Sequence, residues 1–370
     1  MVRGRLIIAA ILLLLPVAGC GNFFTDRTDN GGGSSSKFAY VSNFNGGGAG
    51  SVSGFSVDTS TGLLTALGAP DSTGPGGISD GPAALTITGN FLYTANDGGG
   101  ISAFTINTSN GALTAVAGAP FAADIFPTAI VAHPNGRFVY VANSGSLDIT
   151  AYSINTTSGA LTQIVGSPFA LLGSPFGLAF HPTGNFLYAA MDTDGVAAFT
   201  VDANTGGLTL VRNVPAIAGG APQAAVVEKS GRFLYVADGI SGVEAFSINT
   251  TTGDLSLQTA SAYGAGNGPI AITSDAAGKF VWVANRQSNN VSAFAILSDG
   301  SLTQINGSPF TAGTSPTGIA VDSAGTFVYV TNLSGTAGVS IYSVDTATPG
   351  KLNIAGTTSA GNGPSGIALK

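Results

Sequence analysis

Phe38-Ala-Tyr-Val-Ser-Asn43 is the first of seven versions of one six-residue phrase along the chain. The other six begin at Phe91, Phe138, Phe186, Phe233, Phe280 and Phe327. Successive starts lie 53, 47, 48, 47, 47 and 47 residues apart. This period is typical of one small sheet per repeat rather than of a helical solenoid. We therefore predict an all-β repeat protein.

The third repeat shows the parts of one unit. Thr128–Ala132 is a short apolar strand, His133-Pro-Asn-Gly136 is a turn, and Phe138–Asn143 is the second strand. Ile149–Ile154 and Leu161–Val165 follow as the third and fourth strands. Short strands separated by Gly, Asn and Ser clusters are typical of antiparallel hairpins. Each repeat is therefore predicted to form a four-stranded antiparallel blade.

The two ends of the repeat array predict how it closes. Phe38 enters the array without a first strand before it, whereas residues 365–369 copy a first strand with no second strand after them. The C-terminal strand should therefore become the innermost strand of the N-terminal blade. Seven phrases and this closure predict a seven-bladed β-propeller over residues 37–370, in which no terminal sheet is left without a neighbouring sheet.

Two short motifs carry a family resemblance. Tyr329-Val-Thr-Asn332 is the tetrapeptide that gives YVTN β-propeller repeats their name, and Gly-Ser-Pro-Phe occurs at Gly166–Phe169 and Gly307–Phe310. On these motifs, residues 38–370 resemble the YVTN and lactonase-like seven-bladed propellers. The lactonase branch includes 6-phosphogluconolactonases, whose active members use histidine, arginine and carboxylate side chains around one mouth of the channel. The resemblance therefore implies the fold, and lactone hydrolysis as one activity.

Composition narrows the range of partners. The 370 residues are 44% hydrophobic and only 8% charged, with 55 glycines and a formal net charge of −7. An acidic chain with few, scattered basic residues lacks the positive surface that binds a phosphate backbone. We expect no nucleic-acid partner.

The N-terminal segment is predicted to be an export signal. Arg3 and Arg5 precede an apolar run from Leu6 to Leu15, which is too short to span a bilayer comfortably. The run ends in Val17-Ala-Gly-Cys20, which resembles the lipobox of bacterial lipoproteins. We predict a signal peptide at 1–19, and a lipidated Cys20 with a Gly/Ser-rich tether at 20–36. An ordinary cleaved signal with a chance cysteine is the alternative.

The predicted signal peptide and lipidated Cys20 imply a cellular location and binding partners. The protein is expected to be exported and held in the bacterial cell envelope by lipid on Cys20, with the choice between inner and outer membrane left open. A protein, peptide or glycan of the envelope is the expected binding partner.

The two histidines occupy repeated turns. His133 and His181 stand at the same point between the first and second strands of successive blades, where later blades have Asp275 and Asp322. We predict that these side chains form hydrogen bonds within their turns rather than act in catalysis.

Charged residues gather where two blades depart from the repeat. Loops after the second strand, together with the connections between blades, converge on one mouth of a propeller, where function is commonly found. Most of these loops begin with Asn, whereas blade four has Met191-Asp-Thr-Asp-Gly195 and blade five has Asp238 and Glu244. With Arg286 of blade six they form a charged cluster. Its members are Asp192, Asp194, Asp238, Glu244 and Arg286.

Three interpretations of this cluster remain open. Asp192, Asp194 and Asp238 offer the oxygen ligands that Ca²⁺ takes. A carboxylate among Asp192, Asp194, Asp238 and Glu244 could be the general base of a lactone hydrolase. The third interpretation is that the Asp-Gly pairs only form tight turns and that Glu244 is solvated or paired with an arginine. At the level of the whole protein, low charge and few catalytic side chains favour a binding or scaffold module, with a lactonase-like hydrolase as the alternative.

Overall fold

A computed structural model describes residues 37–44, 50–74, 81–217, 219–258, 262–334 and 338–370. Within these ranges every regular element is a β-strand, so they contain no helix long and apolar enough to cross a membrane. The predicted signal peptide, Cys20 and the tether lie outside the described residues.

The strands follow the repeats closely. In chain order they are β1 (Phe38–Asn43), β2 (Ser51–Val57), β3 (Leu64–Ala66), β4 (Asp71–Ser72), β5 (Pro82–Thr88), β6 (Phe91–Asn96), β7 (Gly100–Ile106), β8 (Leu113–Ala115), β9 (Phe121–Ala122), β10 (Pro127–Ala132), β11 (Phe138–Asn143), β12 (Asp148–Ile154), β13 (Leu161–Gln163), β14 (Phe169–Ala170), β15 (Pro175–Phe180), β16 (Phe186–Met191), β17 (Gly195–Val201), β18 (Leu208–Val214), β19 (Pro222–Val227), β20 (Phe233–Asp238), β21 (Gly242–Ile248), β22 (Leu255–Leu257), β23 (Pro269–Ser274), β24 (Phe280–Asn285), β25 (Asn290–Ile296), β26 (Leu302–Gln304), β27 (Phe310–Thr311), β28 (Thr314–Val321), β29 (Phe327–Ser334), β30 (Val339–Val344), β31 (Leu352–Thr358) and β32 (Pro364–Leu369).

These strands form the predicted seven-bladed β-propeller. Each blade is an antiparallel sheet whose strands, from the channel outward, run in chain order, as in β10-β11-β12-β13. The first blade is the exception, because its innermost strand is β32 and its order is β32-β1-β2-β3. Tyr40 of β1 pairs with Ala368 of β32. The predicted closure of the ring by the C-terminal strand is therefore confirmed.

The outermost strand is shorter than predicted in the third blade. The fourth strand ends at Gln163, and the chain then returns at β14, where Phe169 pairs with Ile149. Gly166 with a φ of +88° and Pro168, which has no N–H to donate, interrupt the ladder between the two pieces. Blades one, two and six are split in the same way by β4, β9 and β27, whereas β18 and β31 run on for seven residues.

The repeated phrase joins each blade to the next. Its tyrosine, or tryptophan in blade six, donates a hydrogen bond to a glycine carbonyl in the turn between the third and fourth strands of the following blade. The pairs and their distances are Tyr40–Gly111 (2.7 Å), Tyr93–Gly159 (2.9 Å), Tyr140–Gly206 (2.7 Å), Tyr188–Gly253 (3.2 Å), Tyr235–Gly300 (2.9 Å), Trp282–Gly350 (3.0 Å) and Tyr329–Gly62 (3.0 Å). The phrase is thus a joint between blades as well as a strand.

The phenylalanine of the phrase explains why the partner is glycine. A Cβ built on each of these seven glycines would lie 2.3–2.6 Å from the Phe ring of the preceding blade. Their φ angles of +73° to +86° also disfavour side chains. Phe and Tyr lie two residues apart on one face of the strand. The Phe ring therefore packs against the glycine turn, and the Tyr hydroxyl donates a hydrogen bond to its carbonyl.

The channel has two ends that differ in their loops. We call the A–B mouth the end with turns between first and second strands, such as His133–Gly136. We call the B–C mouth the end with loops between second and third strands and the connections between blades. The backbone N–H of Lys37 donates to the carbonyl of Lys370 at 2.7 Å. The described chain therefore begins beside the A–B mouth.

Candidate functional site

Both histidines form hydrogen bonds within turns at the A–B mouth. His181 is 3% exposed, with Nδ1 at 2.8 Å from Thr183 Oγ1 and Nε2 at 3.0 Å from the Gly231 carbonyl of the next blade. His133 Nδ1 accepts the N–H of Asn135 at 3.0 Å. Burial lowers the pKa of both rings. The prediction that these histidines bond within their turns is confirmed.

The carboxylates at the same position are also satisfied locally. Asp275 Oδ1 accepts the N–H groups of Lys279 and Phe280, both at 2.7 Å. Asp322 Oδ1 does the same with Thr326 and Phe327 at 2.6 and 2.8 Å, although burial still raises the pKa of Asp322. Glu228 fills this position in blade five and accepts the N–H of Arg232 at 2.9 Å. Glu228 is not among the residues predicted from the sequence, although its position in the repeat matches that of His181.

A cavity of about 110 Å³ opens at this A–B mouth. First strands of several blades form its wall, with Thr86, Val131, Val226, Ser274 and Val321 among the lining residues. Its acidic side chains, Asp275 and Asp322, are the ones already bonded to their own turns. His133 and Lys229 also line the cavity, and its other lining residues are apolar or carry hydroxyl groups. The predicted charged cluster lies at the other mouth.

At the B–C mouth, five blades share one amide–hydroxyl pair. The Asn that ends the second strand donates from Nδ2 to a Ser or Thr on the third strand. These pairs are Asn43–Ser53 (3.0 Å), Asn96–Ser102 (2.8 Å), Asn143–Thr150 (2.7 Å), Asn285–Ser292 (2.9 Å) and Asn332–Ser340 (3.1 Å). In blade six the hydroxyl of Ser292 also accepts the N–H of Gly266 at 3.1 Å. The pair thus ties two strands to the incoming connection.

Blade five replaces this pair by two carboxyl groups. Asp238 and Glu244 are both 0% exposed, so the interpretation of Glu244 as a solvated residue is wrong. Asp238 accepts the N–H groups of Ile240, Ser241 and Ala221 at 2.7–2.8 Å. Glu244 Oε1 accepts the N–H of Ile217 at 2.9 Å.

The pKa of Glu244 is raised to near neutral pH. Its Oε2 atom is buried and makes no hydrogen bond to a protein donor in the described part of the chain. Burial, and to a smaller extent neighbouring Asp238, raise the pKa of Glu244 to about 7. A carboxyl that cannot be solvated favours its protonated form.

Blade four brings accessible carboxylates next to this pair. Met191 and Ala197, which stand at the positions of the amide and the hydroxyl, are apolar and buried. Asp192 is half-buried and Asp194 is exposed. Burial, Asp194 and Asp238 raise the pKa of Asp192, in that order. The structure therefore brings together the four predicted carboxylates of blades four and five.

Arg286 lies one blade further on. It is half-buried, and its backbone N–H donates to the Gly268 carbonyl at 2.8 Å. The charges that shift the pKa of Asp192 and Glu244 all come from carboxylates. The cluster around Asp192 is therefore acidic in character.

The carboxylates do not form a cage for a cation. Among the described residues, no group of three or more His, Cys, Asp or Glu side chains is arranged to hold a metal ion. Both oxygens of Asp238 already accept backbone N–H groups. The Ca²⁺ interpretation of Asp192, Asp194 and Asp238 therefore has no geometric support here and remains a prediction from the sequence alone.

Comparison with known proteins agrees with the ring and its repeats. The family model described as lactonase, 7-bladed beta-propeller, matches residues 34–176 and 178–368. The chain belongs to this lactonase family. No curated protein sequence matches it significantly.

Solved structures of the same fold are distant in sequence. A protein from Lactobacillus plantarum is 22% identical with a TM-score of 0.75, and covers 91% of this chain and 100% of its own. A putative 6-phosphogluconolactonase from Bacteroides uniformis is 18% identical with a TM-score of 0.74, covering 90% and 99%. A periplasmic gluconolactonase from Pseudomonas aeruginosa is 19% identical with a TM-score of 0.74, covering 91% and 99%. At these identities the likeness concerns the fold.

Proposed function

We propose that this member of the lactonase family is a lactone hydrolase that works at the B–C mouth with Asp192 as general base. The observation that carries the proposal is the placement of Asp192. It is half-buried and its pKa is raised by burial, Asp194 and Asp238, in the two blades that break the repeat. A raised carboxylate pKa makes a stronger base near neutral pH.

The chemistry assigns different roles to the four carboxylates. Asp192 would take a proton from a water molecule as the water oxygen attacks the lactone carbonyl. The ring C–O bond then breaks, and the alkoxide oxygen takes up a proton to give a hydroxy acid. Asp238 and Glu244 are fully buried, so they act on Asp192 as positioning and electrostatic groups without contact with substrate.

The electrostatics favour an uncharged lactone. Asp194 and Asp238 repel negative charge near Asp192. Arg212, an exposed arginine of the same blade, forms an ion pair with Asp254, with Nη1 at 3.4 Å from Oδ2, so its charge is already partnered. A phosphorylated sugar lactone is usually held by several cationic groups. The solved structures of similar fold include one protein named for an unphosphorylated sugar lactone and one named for a phosphorylated sugar lactone, so both substrate classes are worth comparing.

A substrate panel tests the proposal. The full-length protein would be assayed by pH-stat against δ-valerolactone, glucono-δ-lactone and its 6-phosphate, each corrected for spontaneous hydrolysis. We expect turnover of at least one uncharged lactone with a higher kcat/KM than the phosphorylated one. A panel without turnover by well-folded protein would contradict the proposal.

A binding module is the second candidate. The observation that favours it is the complete burial of Asp238 and Glu244, which removes two of the four carboxylates from contact with any ligand. In that case the ring presents its loops to a protein, peptide or glycan of the envelope. Binding of such a partner with no turnover of any lactone would favour this candidate over the hydrolase.

We also propose that lipid on Cys20 anchors the protein in the cell envelope. The described chain begins at Lys37 beside the A–B mouth. The predicted tether would thus join the propeller at the A–B mouth, on the side opposite Asp192. Cys20→Ser should release the protein from the membrane fraction, whereas release of the unaltered protein by buffer alone would contradict the anchor.

A further inference from the structure

Four apolar side chains are exposed together at the B–C mouth. Ile125, Phe126, Leu147 and Leu172 are 57, 42, 39 and 70% exposed. They come from the connection between blades two and three, the B–C loop of blade three, and the connection between blades three and four. We call this group the apolar ledge.

Backbone hydrogen bonds hold the ledge as one unit. Ser144 N–H donates to the Phe126 carbonyl at 2.9 Å, and Gly145 N–H donates to the Ile125 carbonyl at 3.0 Å. Leu171 N–H donates to the Leu147 carbonyl at 2.8 Å. The three loops are thus fixed relative to one another, which distinguishes the ledge from four unrelated surface residues.

Phe126 occupies a backbone position that suits glycine. Its φ is +54°, and it immediately precedes the proline that begins a first strand. The residues at the same position in blades six, seven and one are Gly268, Ser315 and Gly363, with φ of +66°, +54° and +67°. A bulky aromatic residue is disfavoured there, and 42% of Phe126 nevertheless stays exposed.

Leu147 repeats this pattern in the adjacent loop. Its φ is +57°, and its counterpart in blade six is Asn289 with φ of +55°. Asn tolerates the left-handed region better than Leu does. Two bulky apolar residues therefore occupy strained positions side by side, and strain kept at exposed positions is typical of functional sites.

The ledge adjoins the carboxylates of blade four. Ser174 Oγ donates to the Ser144 carbonyl at 3.2 Å, and Asp192 N–H donates to the Ser174 carbonyl at 3.0 Å. Next to Leu172, Gly173 has no space for a side chain because Asp194 packs against it. A small molecule with its carbonyl at Asp192 can therefore reach the ledge across one loop.

We propose that the ledge binds an apolar substituent of the lactone, so that the preferred substrate carries an alkyl or aryl group next to an uncharged ring. This inference rests on the proposed function. Four side chains are too few for a stable protein interface, which needs about 800 Å² from each partner. They are sufficient to cover a chain of several carbons, and each buried CH₂ favours binding.

Selectivity between two lactones tests the ledge. The full-length protein and the variant Phe126→Gly/Leu147→Asn, which copies residues of equivalent blades, would be assayed with δ-decalactone and δ-valerolactone. We expect the ratio of kcat/KM for the pentyl-substituted to the unsubstituted lactone to fall about tenfold or more. The control Ile354→Asn alters an exposed residue of the outer strand β31 and should preserve the ratio. An unchanged ratio in the ledge variant would overturn the inference.

A direct binding measurement tests the ledge independently of the proposed hydrolase activity. The probe is 6-pentylpiperidin-2-one, a lactam analogue of δ-decalactone, titrated calorimetrically into the same proteins. Tighter binding to the unaltered protein than to the ledge variant, with no lactone hydrolysed, would support the ledge and refute the hydrolase. Hydrolysis of both lactones together with equal lactam binding would refute the ledge and keep the hydrolase. Absence of both hydrolysis and lactam binding would overturn both.

Discussion

Tyr329 Oη donates a hydrogen bond of 3.0 Å to the carbonyl oxygen of Gly62, although 267 positions of sequence separate the two residues. This bond joins the seventh blade to the first. Five of the six other joints have the same Tyr-to-Gly bond, and Trp282 Nε1 is the donor at the sixth. The junction that closes the ring is therefore built like five of the six other junctions.

Removal of one hydroxyl tests this equivalence. Tyr329→Phe at the closing junction and Tyr140→Phe at an internal one should each lower the free energy of unfolding by about 1–2 kcal/mol, because each leaves a buried carbonyl without its donor. Urea unfolding followed by fluorescence measures both. A large loss for one variant and none for the other would show that the junctions are not equivalent.

Glycine turns at the joints should be intolerant of side chains. Gly111→Ala would place a Cβ 2.5 Å from the Phe38 ring at a φ of +73°, and should cost about 2–4 kcal/mol of stability. Gly166→Ala is the control, since its φ is +88° but no atom lies within 4 Å of the added Cβ. Only the backbone cost of about 1–2 kcal/mol applies there. The added Cβ would also lie 2.6 Å from Leu67, so equal losses in the two variants would mean that neither the Phe38 nor the Leu67 contact contributes.

The buried pair in blade five predicts a pH dependence of stability. Glu244 has an ordinary pKa of 4.5 and a folded-state pKa of about 7. Between these values the folded chain keeps a proton that the unfolded chain releases, so the free energy of unfolding falls as the pH rises from about 4.5 to about 7. The shift corresponds to roughly 3 kcal/mol.

A neutral isostere should remove this dependence. Glu244→Gln keeps an acceptor for Ile217 N–H and offers Asp238 a donor, so we expect it to be more stable than the unaltered protein at pH 8 and similar at pH 4.5. Asp202→Asn, in an exposed turn of blade four, is the control for loss of a surface carboxylate, and its pH dependence of stability would be compared with that of Glu244→Gln. If Glu244→Gln kept the same slope of stability against pH, another group would be responsible.

The strain at the ledge predicts a stabilising substitution. Leu147→Asn should raise the free energy of unfolding by about 1 kcal/mol, because Asn is accommodated better at a φ of +57° and the Leu side chain is partly exposed. The reverse change, Asn289→Leu, should cost a similar amount. Thermal unfolding of the two variants checks the pair, and destabilisation by Leu147→Asn would show that the leucine stabilises the fold.

The repeats made the ring predictable because period, strand order and closure all follow from positions of like residues. They also marked Asp238 and Glu244, since both depart from an Asn and Ser pattern that most blades keep. Burial of that pair was not predictable, because it depends on how the connection through Ile217 folds over Glu244. The ledge was missed for a related reason: Phe126 is unusual only when its φ is compared with that of Gly268.

The interruption of the outer strand follows from local chemistry. Gly166 and Pro168 stand between β13 and β14, and both disfavour a continuous ladder. The sequence prediction extended the strand to Val165 because Ile164 and Val165 favour strands, whereas Val165 is fully exposed in the structure. Residue preference for strands indicated the element, and the following Gly-Ser-Pro limited its length.

The most direct test of the proposed activity is the kcat/KM of Asp192→Asn for δ-valerolactone, measured beside the unaltered protein and Asp202→Asn. Loss of the general base should reduce kcat/KM by about 10²–10⁴-fold, while Asp202→Asn retains full activity. Hydrolysis by Asp192→Asn at the rate of the unaltered protein would contradict the assignment of the site to Asp192.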